Sequence, residues 1–132
     1  MMSDRLVLDT DIVIHLLKKQ ADAVARFLTL LQAQTIILIS PIVVAEIYAG
    51  AFQREHKDIE AFFSLCRHVH IDSDIAHQAG LYAHQYRKAF QGISLEDYLL
   101  AATARTHRCP LWTGNRKHYP MDGIQFFGDV TL

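Results

Sequence analysis

Short uncharged apolar runs alternate with helical segments along this chain, and this alternation constrains the fold more than any other feature of the sequence. Residues 35–39 are the clearest strand, because they are uncharged and mostly β-branched. Residues 5–8 and 110–113 are further strand-like runs, and segments with apolar residues at helical spacing separate the three. Strands that alternate with helices build a mostly parallel sheet that helices cover on both faces. The sequence therefore predicts an α/β protein.

Helices are predicted where apolar residues recur three and four positions apart. Ser40 and Pro41 have the residue types of an N-cap and a first helical position, and Ser94 begins a later helix. The predicted helices cover residues 11–19, 21–34, 41 to about 53, 59–66, 75–90 and 94 to about 107, and residues 68–71 and 124–127 are weaker strand candidates.

The composition indicates a globular cytoplasmic protein. The chain has 132 residues, of which 51% are hydrophobic and 20% are charged, which fits one domain spanning residues 1–132. No apolar run reaches the roughly 18 residues of a membrane span, and the short apolar run after the N-terminus does not suit a secretory signal. Cys66 and Cys109 form no Cys-x-x-Cys pair, as expected for a reduced protein. The net charge of −1 argues against a nucleic-acid coat protein but allows a nuclease with a local positive field.

Four acidic or amide side chains stand in otherwise apolar stretches, each at the end of a strand-like run or early in a helix-like one. They are Asp9, Glu46, Asp97 and Asn115. Ligands of open parallel sheets bind beyond the carboxyl ends of the strands. Asp9 follows the first predicted strand and Asn115 follows a later one, so both side chains face one crevice if these two strands are neighbours.

Glu46 is the most informative of the four. It is the only formal charge between Arg26 and Arg54, and it lies nearly two turns into its predicted helix, where N-capping cannot explain it. A carboxylate buried among apolar residues costs free energy unless a cation meets it. We therefore expect Glu46 to belong either to a structural salt bridge or to a functional site, and the cost of an isolated charge favours the functional site.

The other three residues also have ordinary structural explanations. Asp9 suits a helix N-cap. Asp97 would complete a capping box with Ser94, and Asn115 follows a glycine in a typical turn sequence. Local structure explains each of these residues when it is taken alone, so a functional role requires that they lie together in one site.

Three carboxylates in one pocket would repel each other, and a divalent cation relieves that repulsion. Mg²⁺ and Mn²⁺ prefer oxygen ligands, which makes Asp9, Glu46 and Asp97 the predicted metal ligands and catalytic residues. Asn115 is a fourth catalytic candidate, as a neutral oxygen ligand or as a group that positions a water. A metal at this place would lower the pKa of a bound water and polarise a phosphate, so the residues favour a small metal-dependent nuclease. The predicted supporting residues are Thr10, Asp11 and Thr113, and the candidate phosphate contacts are Arg116 and Lys117.

Four motifs occur in order along nearly the whole chain. They are Leu8-Asp9-Thr10-Asp11, Ser40-Pro41 leading to Glu46 and Gly50, residues 93–104 around Asp97, and residues 113–119 around Asn115. This pattern resembles the PIN domain and, more closely, the VapC-type toxins of bacterial toxin–antitoxin pairs. Each motif is weak alone, but four in this order are fairly specific.

The resemblance implies a three-layer α/β/α fold and endoribonuclease activity that depends on Mg²⁺ or Mn²⁺. It also implies homodimers and inhibition by a partner antitoxin with a DNA-binding part. Asp9, Glu46 and Asp97 fall on the three acidic positions of the family. Asn115 falls where many relatives carry a fourth acid and others an asparagine.

Two rival interpretations remain open from the residues. In a phosphatase of the haloacid dehalogenase type, Asp9 would be a covalent nucleophile and Asp11 the acid/base. That class also needs a late acidic pair, which Gly128-Asp129 does not supply. In a protein-binding module without catalysis, apolar helices would hold a partner, but such a module has no reason to gather three acids.

Overall fold

The computed structural model describes residues 4–128 of the chain. Residues 1–3, which begin the N-terminal stretch considered above, and Asp129 lie outside the described residues. Four strands form one sheet in the order β3-β2-β1-β4, and all neighbouring strands are parallel. Helices and this sheet together make three α/β/α layers, so the predicted α/β fold with a mostly parallel central sheet is confirmed.

The elements follow the predicted alternation. The strands are β1 (Arg5–Leu8), β2 (Ile36–Ile39), β3 (Arg67–His68) and β4 (Leu111–Trp112). The α-helices are α1 (Thr10–Leu17), α2 (Ala21–Gln32), α3 (Pro41–Ala49), α4 (His56–Phe63), α5 (Ser73–Tyr86) and α6 (Leu95–Thr106). Gln53–Glu55 and Arg116–His118 each form a short 3₁₀ turn.

Some predicted elements are shorter in the structure. Helix α3 ends at Ala49 rather than near residue 53, and α5 ends at Tyr86 rather than at residue 90. Residues 124–127 contribute a single parallel bridge, from Phe126 to Leu111. Apolar residues continue past both helix ends, but Phe52 and Phe90 are exposed; the ring of Phe90 lies 6.0 Å from that of Tyr86.

The core lies on both faces of the two central strands. Leu6, Val7 and Leu8 of β1 are each at most 2% exposed. Because successive side chains of a strand point to opposite faces, their burial requires cover on both sides of the sheet. Helix α1 contacts α2, α3 and α4, whereas α6 contacts α5 and β1. Within residues 4–128, no helix has both the length and the apolar character needed to cross a membrane.

The strand order places the ends of β1 and β4 side by side. Val7 pairs with Leu111 and Leu8 with Trp112, so both strands end at the same level. The backbone N–H of Asp9 then donates to the carbonyl oxygen of Trp112 at 2.9 Å. The residues that follow the two strands therefore meet at one edge of the sheet, as the sequence predicted for neighbouring strands.

Candidate active site

Asp9 combines a structural role with a place at this sheet edge. It is the N-cap of α1, where its Oδ1 accepts a hydrogen bond from the backbone N–H of Thr10 at 2.7 Å. Its Oδ2 accepts a second hydrogen bond, from the hydroxyl of Thr113 at 2.7 Å. Thr113 is buried directly after β4, so this bond joins the ends of the two neighbouring strands.

Asp97 also has two roles. It completes the predicted capping box of α6, with its N–H donating to Ser94 Oγ at 3.2 Å and its Oδ2 accepting from the Ser94 N–H at 3.1 Å. The same Oδ2 lies 3.0 Å from Nδ1 of His118. Capping therefore leaves the carboxylate in the first turn of α6, where it faces residues that follow β4.

The hydroxyl of Tyr119 connects these two acids. It donates to Asp9 Oδ2 at 2.9 Å and lies 3.3 Å from Asp97 Oδ1. Tyr119 is only 2% exposed. Burial, and next the negative charges of Asp9 and Asp97, raise the pKa of Tyr119 above its ordinary value, so the hydroxyl keeps its proton and remains a donor.

Glu46 reaches the same edge through Thr10. The Thr10 hydroxyl donates to Glu46 Oε1 at 2.9 Å. The expectation that Glu46 is a buried charge was wrong, because its side of α3 is exposed to solvent. That side carries Ala45 and Ala49, which look apolar in the sequence but are too small to form a core face; Val43 and Ile47 supply the buried face.

Asp11 ties α1 to the segment after β4. Its Oδ2 accepts from the Gly114 N–H at 2.8 Å, and its Oδ1 accepts from the Ile12 N–H at 2.9 Å. Burial and then the nearby charge of Asp9 raise the pKa of Asp11 above its ordinary value, although the two backbone hydrogen bonds act in the opposite direction. A Cβ on residue 114 would lie 2.6 Å from Asp11 Oδ2, so any residue other than glycine would force the carboxylate to shift.

The three remaining candidates lie on the exposed rim of the site. The Asn115 N–H donates to Thr113 Oγ1 at 3.0 Å, while the residue itself is exposed. Arg116 donates to the carbonyl oxygen of Phe127 at 3.2 Å and its guanidinium lies 5.0 Å from the centre of the Phe126 ring. Lys117 is also exposed. The structure places these residues after β4, and their catalytic and phosphate-binding roles stay predictions.

The donor atoms of the site suit a hard cation. In the described part of the chain, Asp9 and Glu46 form no ion pair with Lys or Arg, and the basic partner of Asp97 is His118. As the side chains stand between residues 4 and 128, no three His, Cys, Asp or Glu residues form a group that could hold a metal ion. Asp9 and Asp97 are thus the pair that the structure brings together, and Glu46 joins it indirectly. Oxygen donors with little positive charge beside them fit Mg²⁺ or Mn²⁺, and the three-ligand set stays a prediction.

Two cavities lie away from the acidic pair. One of about 560 Å³, lined in part by Arg105, Arg108 and Cys109, contains none of the predicted site residues. A smaller one of about 230 Å³ has Glu46 at its edge and apolar side chains of α1, α3 and α4 along its walls. Neither of these two cavities contains Asp9 or Asp97, which are half-buried at the edge of the sheet.

Comparison with known proteins identifies the family. A sequence model of the PIN domain matches residues 6–124. This chain belongs to the PIN domain family. Its similarity to the ribonuclease VapC19 of Mycobacterium tuberculosis is 35% identity over 115 residues, which cover 87% of this chain and 92% of that protein.

Solved structures share the fold of this PIN domain. VapBC2 from Rickettsia felis, bound to a DNA fragment from its promoter, has a TM-score of 0.82 at 22% identity, covering 93% of this chain and 97% of that one. DNA-bound VapBC from Salmonella typhimurium has a TM-score of 0.79 at 20% identity, covering 96% and 98%. At such low identity the likeness establishes the fold.

The sequence reasoning missed two residues of the site, His118 and Tyr119. Both contact Asp97, and Tyr119 also contacts Asp9. They stand at the end of the last motif, where the short 3₁₀ turn Arg116–His118 carries the chain back towards the acids. The one available sign was a hydroxyl-bearing aromatic and an imidazole directly after the basic residues, and that sign is too general to assign a role.

Proposed function

We propose that this chain is an endoribonuclease that depends on Mg²⁺ or Mn²⁺ and acts as the toxin of a type II toxin–antitoxin pair. The observation that carries the proposal is the meeting of Asp9 and Asp97 on one tyrosine hydroxyl, at the carboxyl edge of a PIN domain sheet. The similarity to a protein named ribonuclease VapC19 supports RNA as the substrate.

The residues of the site would have different roles in phosphodiester hydrolysis. Asp9, Glu46 and Asp97 would hold the ion, with Thr113 and Tyr119 orienting Asp9 by their hydrogen bonds. When bound, a divalent ion supplies a water of lowered pKa and neutralises charge at the scissile phosphate. The supporting pair, Thr10 and Asp11, holds Glu46 and the loop after β4, while Asn115, Arg116 and Lys117 lie at the rim where a phosphate backbone would pass.

A thiol nucleophile is not required and is disfavoured. Burial raises the pKa of Cys66 to about 12 and the pKa of Cys109 to about 11. Both thiols are therefore protonated at neutral pH, when a nucleophile would have to be a thiolate. The raised pKa values of the two thiols therefore favour water over a cysteine as the nucleophile.

The two rival functions fit this structure less well. In the phosphatase interpretation Asp11 would act as an acid/base, but both of its carboxylate oxygens accept hydrogen bonds from backbone N–H groups. A binding module without catalysis would need Asp9 and Asp97 only as helix caps, and gives no reason for both to meet at one tyrosine hydroxyl. Membership of the PIN domain family agrees with neither of the two.

We extend the proposal to the partners of the chain. The similar solved structures include VapBC complexes and a toxin–antitoxin complex from Klebsiella pneumoniae, which supports a cognate antitoxin here. The proposed toxin acts in the cytoplasm as a homodimer. The antitoxin and the homodimer are tested by co-expression with the small protein encoded by the adjacent gene, followed by sedimentation analysis with and without that protein. A chain that stays monomeric and binds no such protein would contradict both.

Cleavage of a labelled RNA pool tests the activity. The purified chain is incubated with Mg²⁺ or Mn²⁺, with and without a chelator, beside Asp9→Asn, Asp97→Asn and the control Glu96→Gln. Glu96 is an exposed acid in the same turn of α6 and makes none of the site contacts described above. We expect the chelator and both aspartate variants to abolish cleavage and Glu96→Gln to retain it. Cleavage that survives the chelator and both aspartate variants would refute the proposed function.

A further inference from the structure

We infer that Tyr119 is a positioning residue that holds Asp9 and Asp97 in the relative geometry a divalent ion needs. The inference rests on the proposed function, because it concerns the same metal site. It adds a role for a side chain outside the predicted acidic set.

The position of Tyr119 supports this role. Tyr119 is buried, whereas Asp9 and Asp97 are half-buried, so the hydroxyl meets the carboxylates from the inner side. The backbone N–H of Tyr119 donates to the carbonyl oxygen of Arg116 at 3.0 Å, which anchors the residue at the end of its 3₁₀ turn. The ring therefore acts as a fixed support beneath both acids.

The pattern of hydrogen bonds separates Tyr119 from the other neighbours. The side chain of Thr113 forms a hydrogen bond with Asp9 and that of His118 with Asp97, one acid each. Among the residues described, Tyr119 is the side chain with hydrogen bonds to both carboxylates. Two carboxylates held near each other repel, and a donor shared between them offsets part of that repulsion before any cation arrives.

A hydroxyl that orients two metal ligands should affect the metal affinity of the site as well as the stability of the fold. Ligands that are already oriented lose less conformational freedom when they bind an ion, and the residues that orient them commonly change metal affinity by about 10- to 100-fold when they are replaced. Phenylalanine keeps the ring of Tyr119 and removes only its hydroxyl. Tyr119→Phe should therefore weaken Mn²⁺ binding while preserving the fold.

Tyr98 provides a matched control in the same protein. It is a second buried tyrosine, it stands next to Asp97 in the sequence, and its hydroxyl has no hydrogen-bond partner within residues 4–128. Tyr98→Phe therefore makes the same chemical change without removing a hydrogen bond to either acid. Any effect common to both variants reports the loss of a buried hydroxyl and not the support of the site.

The experiment measures Mn²⁺ binding to the metal-free full chain by titration calorimetry, without RNA. We expect Tyr119→Phe to raise the Kd by about tenfold or more and Tyr98→Phe to change it by less than about twofold. Urea unfolding with and without Mn²⁺ gives a second reading, because the stabilisation by Mn²⁺ falls when the Kd rises, even in a destabilised variant.

The outcomes distinguish this inference from the proposed function. The inference and the proposed function are both supported if the wild type binds Mn²⁺, Asp97→Asn abolishes this binding, and Tyr119→Phe weakens it while Tyr98→Phe does not. If the wild type binds Mn²⁺ and Tyr119→Phe binds it equally well, the positioning role is overturned and the proposed function stands. If the wild type binds no Mn²⁺, both are overturned.

Discussion

Replacing Gly114 with alanine is expected to disturb the loop that carries Asn115. A Cβ at this position would lie 2.6 Å from Asp11 Oδ2, closer than real Cβ contacts come. The same oxygen accepts the Gly114 N–H at 2.8 Å. The carboxylate therefore cannot move away from the new methyl group without weakening that hydrogen bond.

The expected destabilisation follows from these two contacts. Losing a hydrogen bond to a charged group costs about 1.5–3 kcal/mol, and the partial exposure of Asp11 favours the lower end. Alanine returns about 0.4–1 kcal/mol by restricting the unfolded chain, because Gly114 does not have a positive φ. We therefore expect Gly114→Ala to lower the free energy of unfolding by about 1 kcal/mol.

Urea unfolding measures this effect. The transition is followed by the fluorescence of Trp112, the single tryptophan, which lies two residues before Gly114. The matched control is Gly80→Ala in α5, where a new Cβ meets nothing within 4 Å and should stabilise the helix by up to about 1 kcal/mol. In an Asp11→Ala background the clash is absent, so Gly114→Ala should stabilise the protein by about 0.4–1 kcal/mol. If the costs of Gly114→Ala and Asp11→Ala simply add, the reasoning from this contact is refuted.

Two further predictions concern buried groups away from the acids. Burial raises the pKa of Cys66 to about 12 and of Cys109 to about 11, against 9.0 for a free thiol. The free energy of unfolding should therefore fall as the pH rises above 9, because the thiols of the unfolded chain ionise first. Alkylation of these thiols by iodoacetamide at pH 8 should be about a hundredfold slower or more in the folded protein than in urea. Equal alkylation rates would contradict these values. Ser40 is fully buried and its Oγ accepts the Ile42 N–H at 3.2 Å as the N-cap of α3, so Ser40→Ala should lower the free energy of unfolding by about 1 kcal/mol, and an unchanged urea midpoint would remove the capping role.

Local rules were sufficient for much of the fold. β2 was predictable because an uncharged, mostly β-branched run is stable only where both faces of the strand are covered, and β1 because Leu6, Val7 and Leu8 form a short apolar run. The N-caps Ser40 and Ser94 were predictable because their side chains satisfy N–H groups only two or three residues away. The ends of α3 and α5 were not predictable, because Phe52 and Phe90 are apolar residues that follow the helices although both are exposed.

The candidate site was predictable only as a set of residue types. Glu46 was singled out for the wrong reason, since small alanines gave an exposed helix side the look of a core face, and its role as a ligand stays a prediction. Tyr119 was not singled out at all. Its partner Asp9 lies 110 residues away, and no local pattern reports such a contact.

The sequence by itself determined the alternation of strands and helices, their caps and the presence of several acids near strand and helix ends, because each depends on interactions across a few residues. The tertiary structure decided which of those acids meet. The pairing of β1 with β4 brings Asp9 to Thr113, and the turn after β4 brings Tyr119 beneath both Asp9 and Asp97. Such contacts form only when distant segments pack together, and packing energy belongs to the whole chain rather than to any one motif.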